Sequence, residues 1–123
     1  MDLKEIALAL TEGCKSGGEL ANLDKLYASD AVSVEAQDYS GMGRETKGRD
    51  GIKGKHAWWE ANFELHSAET IGPFIGGDNQ FVLHFSVDAT HTESGERSQM
   101  REVGIYTVEN GKIIREEFLG LED

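Results

Sequence analysis

Three turn signals cut the second half of the chain into four stretches of β texture, and they leave it little choice but an antiparallel meander. The stretches run over 65–75, 80–92, 97–109 and 112–119, separated by Gly76-Gly77-Asp78-Asn79, Glu93-Ser94-Gly95 and Asn110-Gly111. Asn-Gly is a strong two-residue hairpin signal and sets Ile105 opposite Glu116 and Val103 opposite Phe118. A three-residue loop at Glu93-Ser94-Gly95, with the glycine left-handed, puts Thr92 opposite Glu96 and Phe85 opposite Val103. The two-residue alternative would slip the register by one and exchange the faces. The three-residue loop is chosen because it gathers Phe81, Leu83, Phe85, Val87, Val103, Ile105, Ile114 and Phe118 on one face.

An apolar sheet face needs a cover. Leu3, Ile6, Ala7 and Leu10 recur at helical spacing up to Gly13, and Leu20, Leu23, Leu26 and Tyr27 form a second stripe, so residues 2–28 read as a helical hairpin. Ala31-Val32-Ser33-Val34-Glu35 alternates as a first strand, with Ser33 and Glu35 on one side. A third helix, capped by Asp50, carries the stripe Ile52, His56, Trp59 and Phe63. The expected fold is one α+β domain over 1–123, three helices in the N-terminal half packed in the concave face of a curved, mainly antiparallel sheet.

Charge narrows the function. Twelve basic against twenty-three acidic residues give a formal charge of -11, which repels phosphate backbones and anionic membranes, so neither nucleic acid nor membrane is an expected partner. No apolar run approaches the roughly 18 residues that span a bilayer, and the acidic start is unlike a signal peptide, which predicts a cytoplasmic protein. The single Cys14 permits no internal disulfide, and no histidine lies near it in sequence to make it a nucleophile. His56, His66, His84 and His91 lack metal-ligand spacing, so no metal and no other cofactor is predicted. Five glycines and Arg44, Lys47, Arg49 and Lys53 between 41 and 54 read as a mobile, locally positive loop, either a lid or a phosphate contact.

Polar exceptions on a core-facing surface point to chemistry. In the chosen register Glu116 stands in the middle of the apolar face, with His91, Gln99 and Arg101 toward one end. A buried carboxylate left uncompensated costs several kcal/mol, so Glu116 must be paired, hydrated in a cavity or protonated. Glu35 faces either solvent or the same cavity. If both glutamates enter it, repulsion and desolvation raise at least one pKa, and an acid and a base stand together. His56 reads as a general base, a wall residue or a satisfied core histidine. Trp58 and Trp59 read as core or interface, with one of them able to line an apolar pocket.

Family motifs add to this. Leu26-Tyr27-Ala28-Ser29-Asp30-Ala31-Val32 resembles the start of strand one in the nuclear transport factor 2-like superfamily, and Glu109-Asn110-Gly111-Lys112-Ile113-Ile114 resembles its final hairpin. Ala89-Thr90-His91 and Gly95 are similar to a hairpin of its SnoaL-like members. The resemblance covers nearly the whole chain and implies a cone-shaped, cystatin-like roll of the SnoaL-like or ketosteroid isomerase-like branch. It implies the isomerase's general base near Glu35. The isomerase's phenolic and acidic oxyanion donors would fall at about Thr11 and Ile105, which cannot serve. Glu116 matches a pocket-facing position, Phe118 stands where hydrolases and cyclases would carry an acid, and Arg101 loosely echoes the hydrolase relay. The resemblance also implies a homodimer through the outer sheet face, here Val82, His84, Ser86, Met100, Glu102, Tyr106, Val108, Ile113, Arg115 and Leu119. The resulting expectation is acid/base chemistry on a small apolar, carbonyl-containing or cyclic molecule. Glu35 is the base and Glu116 the acid or orienting group, and ligand contacts come from His56, Trp59, Phe85, His91, Arg101, Ile105 and Phe118. The alternative is a non-catalytic ligand-binding or dimeric protein-interaction module of the same fold.

Overall fold

A computed structural model describes residues 1–38 and 41–122. The elements run α1 (Leu3–Ser16), α2 (Glu19–Leu26), β1 (Tyr27–Val34), β2 (Glu45–Lys47), α3 (Arg49–Asn62), β3 (Phe63–Gly76), β4 (Gln80–His91), β5 (Arg97–Glu109) and β6 (Lys112–Gly120). The six strands form one mixed sheet in the order β2-β1-β6-β5-β4-β3, with β1 parallel to β6 and every other pair antiparallel. Ile6, Ala7 and Leu10 of α1, Leu23 and Leu26 of α2 and Ile52 of α3 pack onto Phe81, Leu83, Tyr106, Val108 and Ile113 of the sheet. The helices therefore cover one sheet face, as the amphipathic stripes require. No helix among the described residues is long and apolar enough to cross a membrane.

The helix ends differ from expectation for local reasons. α1 passes through Gly13 and ends at Gly17, which takes the left-handed cap conformation at φ 80°. Gly13 is needed for packing instead, since a Cβ there would stand 2.0 Å from Asn22 Nδ2 on α2. α3 begins from Gly48, and Asp50 lies in its first turn without capping it. The basic loop is tied down, and three of its residues form β2. Arg44 Nε donates to the Glu35 carbonyl at 2.8 Å, Arg49 bonds the Asp24 and Tyr27 carbonyls at 3.4 Å, and Lys53 pairs with Asp24 at 2.6 Å.

The largest correction concerns β5. At the β4–β5 turn the ladder closes at His91 and Glu96, because the Thr92 N–H and hydroxyl turn away to the Asn62 carbonyl at 3.0 and 3.2 Å. The loop thus has four residues, Thr92 to Gly95, with Gly95 left-handed, and Phe85 pairs with Glu102 instead of Val103. Asn110-Gly111 makes the expected tight turn, both residues at positive φ, but a bulge follows at once. Ile114 is the extra residue, so Tyr106 opposes Glu116, Ile105 opposes Glu117 and Gly104 opposes Phe118. The two slips cancel for β4 and β6, which keep Phe81, Leu83, Glu116 and Phe118 inward. β5 alone is turned over: Glu102, Gly104, Tyr106 and Val108 face the helices, and Arg101, Val103 and Ile105 face outward. The outer face consequently loses Met100, Glu102, Tyr106, Val108 and Ile113 from the expected set and keeps Val82, His84, Ser86, Arg115 and Leu119.

Gly104 reports this register. A Cβ added there would lie 2.9 Å from Tyr106 Cε2 and 3.1 Å from Phe118 Cε1. Gly104→Ala should therefore lower stability in urea unfolding by about 1–3 kcal/mol through overpacking. Were the glycine outward, the same change would raise stability by about 0.5–1 kcal/mol.

Candidate functional site

Glu116 anchors the site. Only 4% exposed, it sits on the inner face of β6 directly across from Ser33 of β1. Its Oε2 accepts from Ser33 Oγ at 2.6 Å, and its Oε1 accepts from the Tyr27 hydroxyl at the other end of β1. Ser33 Oγ in turn accepts from Lys55 Nζ of α3 at 2.7 Å, and Lys55 Nζ also pairs with the Glu35 carboxylate. One hydrogen-bonded chain thus joins Tyr27, Glu116, Ser33, Lys55 and Glu35. The two glutamates singled out from the sequence belong to a single network, linked by a serine and a lysine.

A third carboxyl completes the group. Glu102, half-buried on the inner face of β5, makes no side-chain hydrogen bond among the described residues. Its pKa is pushed up from an ordinary 4.5 to about 7 by burial first, then by the charges of Glu35 and Glu116, with Lys55 acting the other way. Burial and the charge of Glu116 push the Tyr27 and Tyr106 phenols well above their ordinary value, so both stay protonated. Burial, with Glu19 and Glu116 behind it, pushes the Cys14 thiol up to about 12, which leaves it a thiol instead of a nucleophilic thiolate.

An aromatic wall borders Glu102. Phe85, its partner on β4, lies 6.4 Å from Phe118, and Phe118 meets the edge of Tyr106 at 6.3 Å. Phe85 and Phe118 thus share the inner face with Glu102. Trp59 and His91 belong elsewhere. Trp59 stacks on Phe63 at 5.1 Å, Phe63 meets His91 at 5.1 Å, and His91 Nδ1 bonds Ser94 Oγ of the hairpin loop at 2.9 Å. His56 is half-buried on α3 and has no hydrogen bond among the described residues. Arg101 and Ile105 are corrected. Both point to the outer face because β5 is turned over, and Arg101 there borders an open hollow of about 370 Å³ with Glu69, Ser86, Asp88 and Gln99. A second hollow, about 300 Å³ at the start of α3, is lined by Ser29, Lys47 and Arg49, and neither hollow includes Glu35, Glu102 or Glu116. Among the described residues no group of three His, Cys, Asp or Glu is placed to hold a metal ion.

Sequence reasoning passed over Lys55, Ser33, Tyr27, Glu102 and Tyr106. Two of these carried a usable signal. Ser33 has the same strand phase as Glu35, and Lys55 is three residues beyond Ile52, the fully buried residue of α3.

The family model described as SnoaL-like domain matches residues 3–119. The chain belongs to the SnoaL-like domain family. A Mesorhizobium loti protein assigned as a SnoaL-like polyketide cyclase is 40% identical and superposes with a TM-score of 0.88, over 96% of this chain and 98% of that one. More distant structures share the fold. A Xanthomonas campestris protein with a cystatin-like fold is 13% identical (TM-score 0.77, 99% of this chain and 92% of that one). A ketosteroid isomerase-like protein from Catenulispora acidiphila, solved with trimethylamine, is 17% identical (TM-score 0.69, 93% and 83%). No curated protein matches the sequence. This SnoaL-like chain therefore presents three inner-face carboxyls and one lysine on the fold it shares with these proteins.

The raised Glu102 has a consequence for stability. The folded state binds that proton more tightly than the unfolded chain. The contribution of Glu102 to stability is therefore greatest below pH 4.5 and is lost as pH rises to about 7. Glu102→Gln removes the loss. The variant should gain on the parent by up to about 3 kcal/mol at pH 8, with the gap closing toward pH 4.5 in thermal unfolding scans.

Proposed function

We propose that this chain is a small-molecule pocket protein that runs acid/base chemistry on an apolar, carbonyl-containing or cyclic ligand. The observation that carries the reading is Glu102, a hydrogen-bond-free carboxyl with a pKa near 7 beside the Glu35–Lys55 ion pair. A carboxyl that holds its proton near neutral pH, beside a second carboxylate, suits proton transfer. Glu35, partly exposed and paired with Lys55, takes a proton from carbon next to the carbonyl. The C–H electrons move into the enolate, and the neutral Glu102 returns a proton. Glu116 is the orienting group, because both of its oxygens are already engaged by Tyr27 and Ser33. Phe85 and Phe118 supply the apolar wall, with Trp59, His56 and His91 farther along the roll.

The test is deuterium exchange at the α-carbon of a panel of cyclic ketones in heavy water, followed by proton NMR. Wild type should exchange at least one member above the buffer rate, Glu35→Gln should lose about 10²–10⁴-fold, and the rate should fall as pH rises through about 7. No exchange with any member, or full exchange in Glu35→Gln, overturns catalysis in favour of a non-catalytic binding module.

The same reading includes a homodimer through the outer sheet face. Exposed Ile71, Phe74 and Leu119 share that face with Val103 and Ile105, and a stripe this apolar suits an isologous contact. Light scattering should find a dimer for the parent and a monomer for Leu119→Arg. A monomeric parent sinks this part of the proposal.

A further inference from the structure

The Tyr106 hydroxyl has no role in holding the fold. Tyr106 is 3% exposed, its ring stacked on Phe81 at 4.9 Å and meeting Phe118 edge-on, and phenylalanine would make both contacts equally well. The other inner-face phenol, Tyr27, donates to Glu116. The Tyr106 hydroxyl makes no hydrogen bond among the described residues, and a buried hydroxyl without a partner costs about 1–3 kcal/mol.

The bare backbone of Gly104 makes room for the ring. A Cβ on Gly104 would stand 3.1 Å from the hydroxyl oxygen and 2.9 Å from Cε2, so the ring leans back along β5 over the bare glycine backbone. The next residue on that face is Glu102, about 7 Å further along the strand. Among the described residues, the side-chain polar atom that is both sealed from solvent and unpartnered is His84 Nδ1, on the opposite sheet face. The Tyr106 oxygen, equally unpartnered, therefore still touches accessible space.

We propose that Tyr106 is a ligand-anchoring residue whose hydroxyl, in the space over Gly104, donates a hydrogen bond to the carbonyl oxygen of a neutral ligand. The inference rests on the pocket reading above and needs no catalysis. A neutral acceptor is specified because Glu35, Glu102 and Glu116 outnumber Lys55 and disfavour a carboxylate or phosphate. Burial and the charge of Glu116 keep the phenol protonated, which suits a donor. The ligand's carbon frame would lie against Phe85 and Phe118.

The probes are 1-tetralone, a cyclic aromatic ketone, and tetralin, the hydrocarbon of the same shape. In protein carrying ¹³Cζ-labelled tyrosine, 1-tetralone should move the resonance that disappears in Tyr106→Phe and leave that of Tyr27 in place. Tyr106→Phe should weaken 1-tetralone about 5–10-fold and leave tetralin unchanged, the loss of one neutral hydrogen bond. Wild type should also prefer the ketone, a comparison that needs no variant to fold. Equal affinity of wild type and Tyr106→Phe for the ketone overturns the proposal, as does equal loss for both probes or no binding of 1-tetralone at millimolar concentration. Ketone bound through Tyr106 without α-exchange overturns the acid/base reading and leaves this one standing. Exchange that persists with unchanged affinity in Tyr106→Phe does the reverse.

Discussion

The site depends on a carboxylate held inside a sheet. Glu116 is as buried as the leucines around it, and an isolated charge there would cost several kcal/mol. Two hydroxyl donors offset that cost, one from each end of β1, so the charge holds β1 and β6 together across their one parallel pairing. Ser33 extends the effect. Because its oxygen accepts from Lys55 while its proton goes to Glu116, a helix-borne cation reaches the buried charge without touching it. Helix, first strand and last strand are joined by one electrostatic chain, and Glu35 is drawn to its outer end.

Glu102 shows how the same side chain acquires a different character on the neighbouring strand. It lies on the same inner face as Glu116, but it has no hydroxyl to accept from, and it faces two other carboxylates with one lysine between them. Both oxygens of Glu116 accept from hydroxyls, whereas burial and repulsion stabilise the neutral form of Glu102. An anchoring charge and a titrating acid are thus built from one residue type by their neighbours alone.

Much of this was legible in the sequence. The apolar stripes found α1, α2 and α3, the Asn-Gly pair found the last turn, and alternation put Phe81, Leu83, Phe85, Glu116 and Phe118 on the covered face. The strand phase shared by Ser33 and Glu35 foreshadowed their common partner Lys55. What escaped was the orientation of β5. Its two stripes, Val103 with Ile105 and Gly104 with Tyr106 and Val108, are both half apolar, so hydrophobicity chose the wrong one. The deciding contacts are not local. Thr92 abandons the hairpin for a carbonyl at the end of α3, and Ile114 bulges beside the final turn. Neither leaves a mark in the alternation of β5 itself, and with that strand went Glu102 and Tyr106.

The paired slips make β5 a reversible panel. A four-residue turn on one side and a one-residue bulge on the other rotate this strand while its neighbours keep their phase. One stripe carries a carboxyl, a bare backbone and a phenol, and the other carries valine and isoleucine between an arginine and a threonine. Deleting a residue from the turn together with the bulge would exchange an acidic, donor-bearing wall for a greasy one with every side chain unchanged. On such a scaffold the length of two turns, as much as the residues that line it, sets which chemistry the interior can hold.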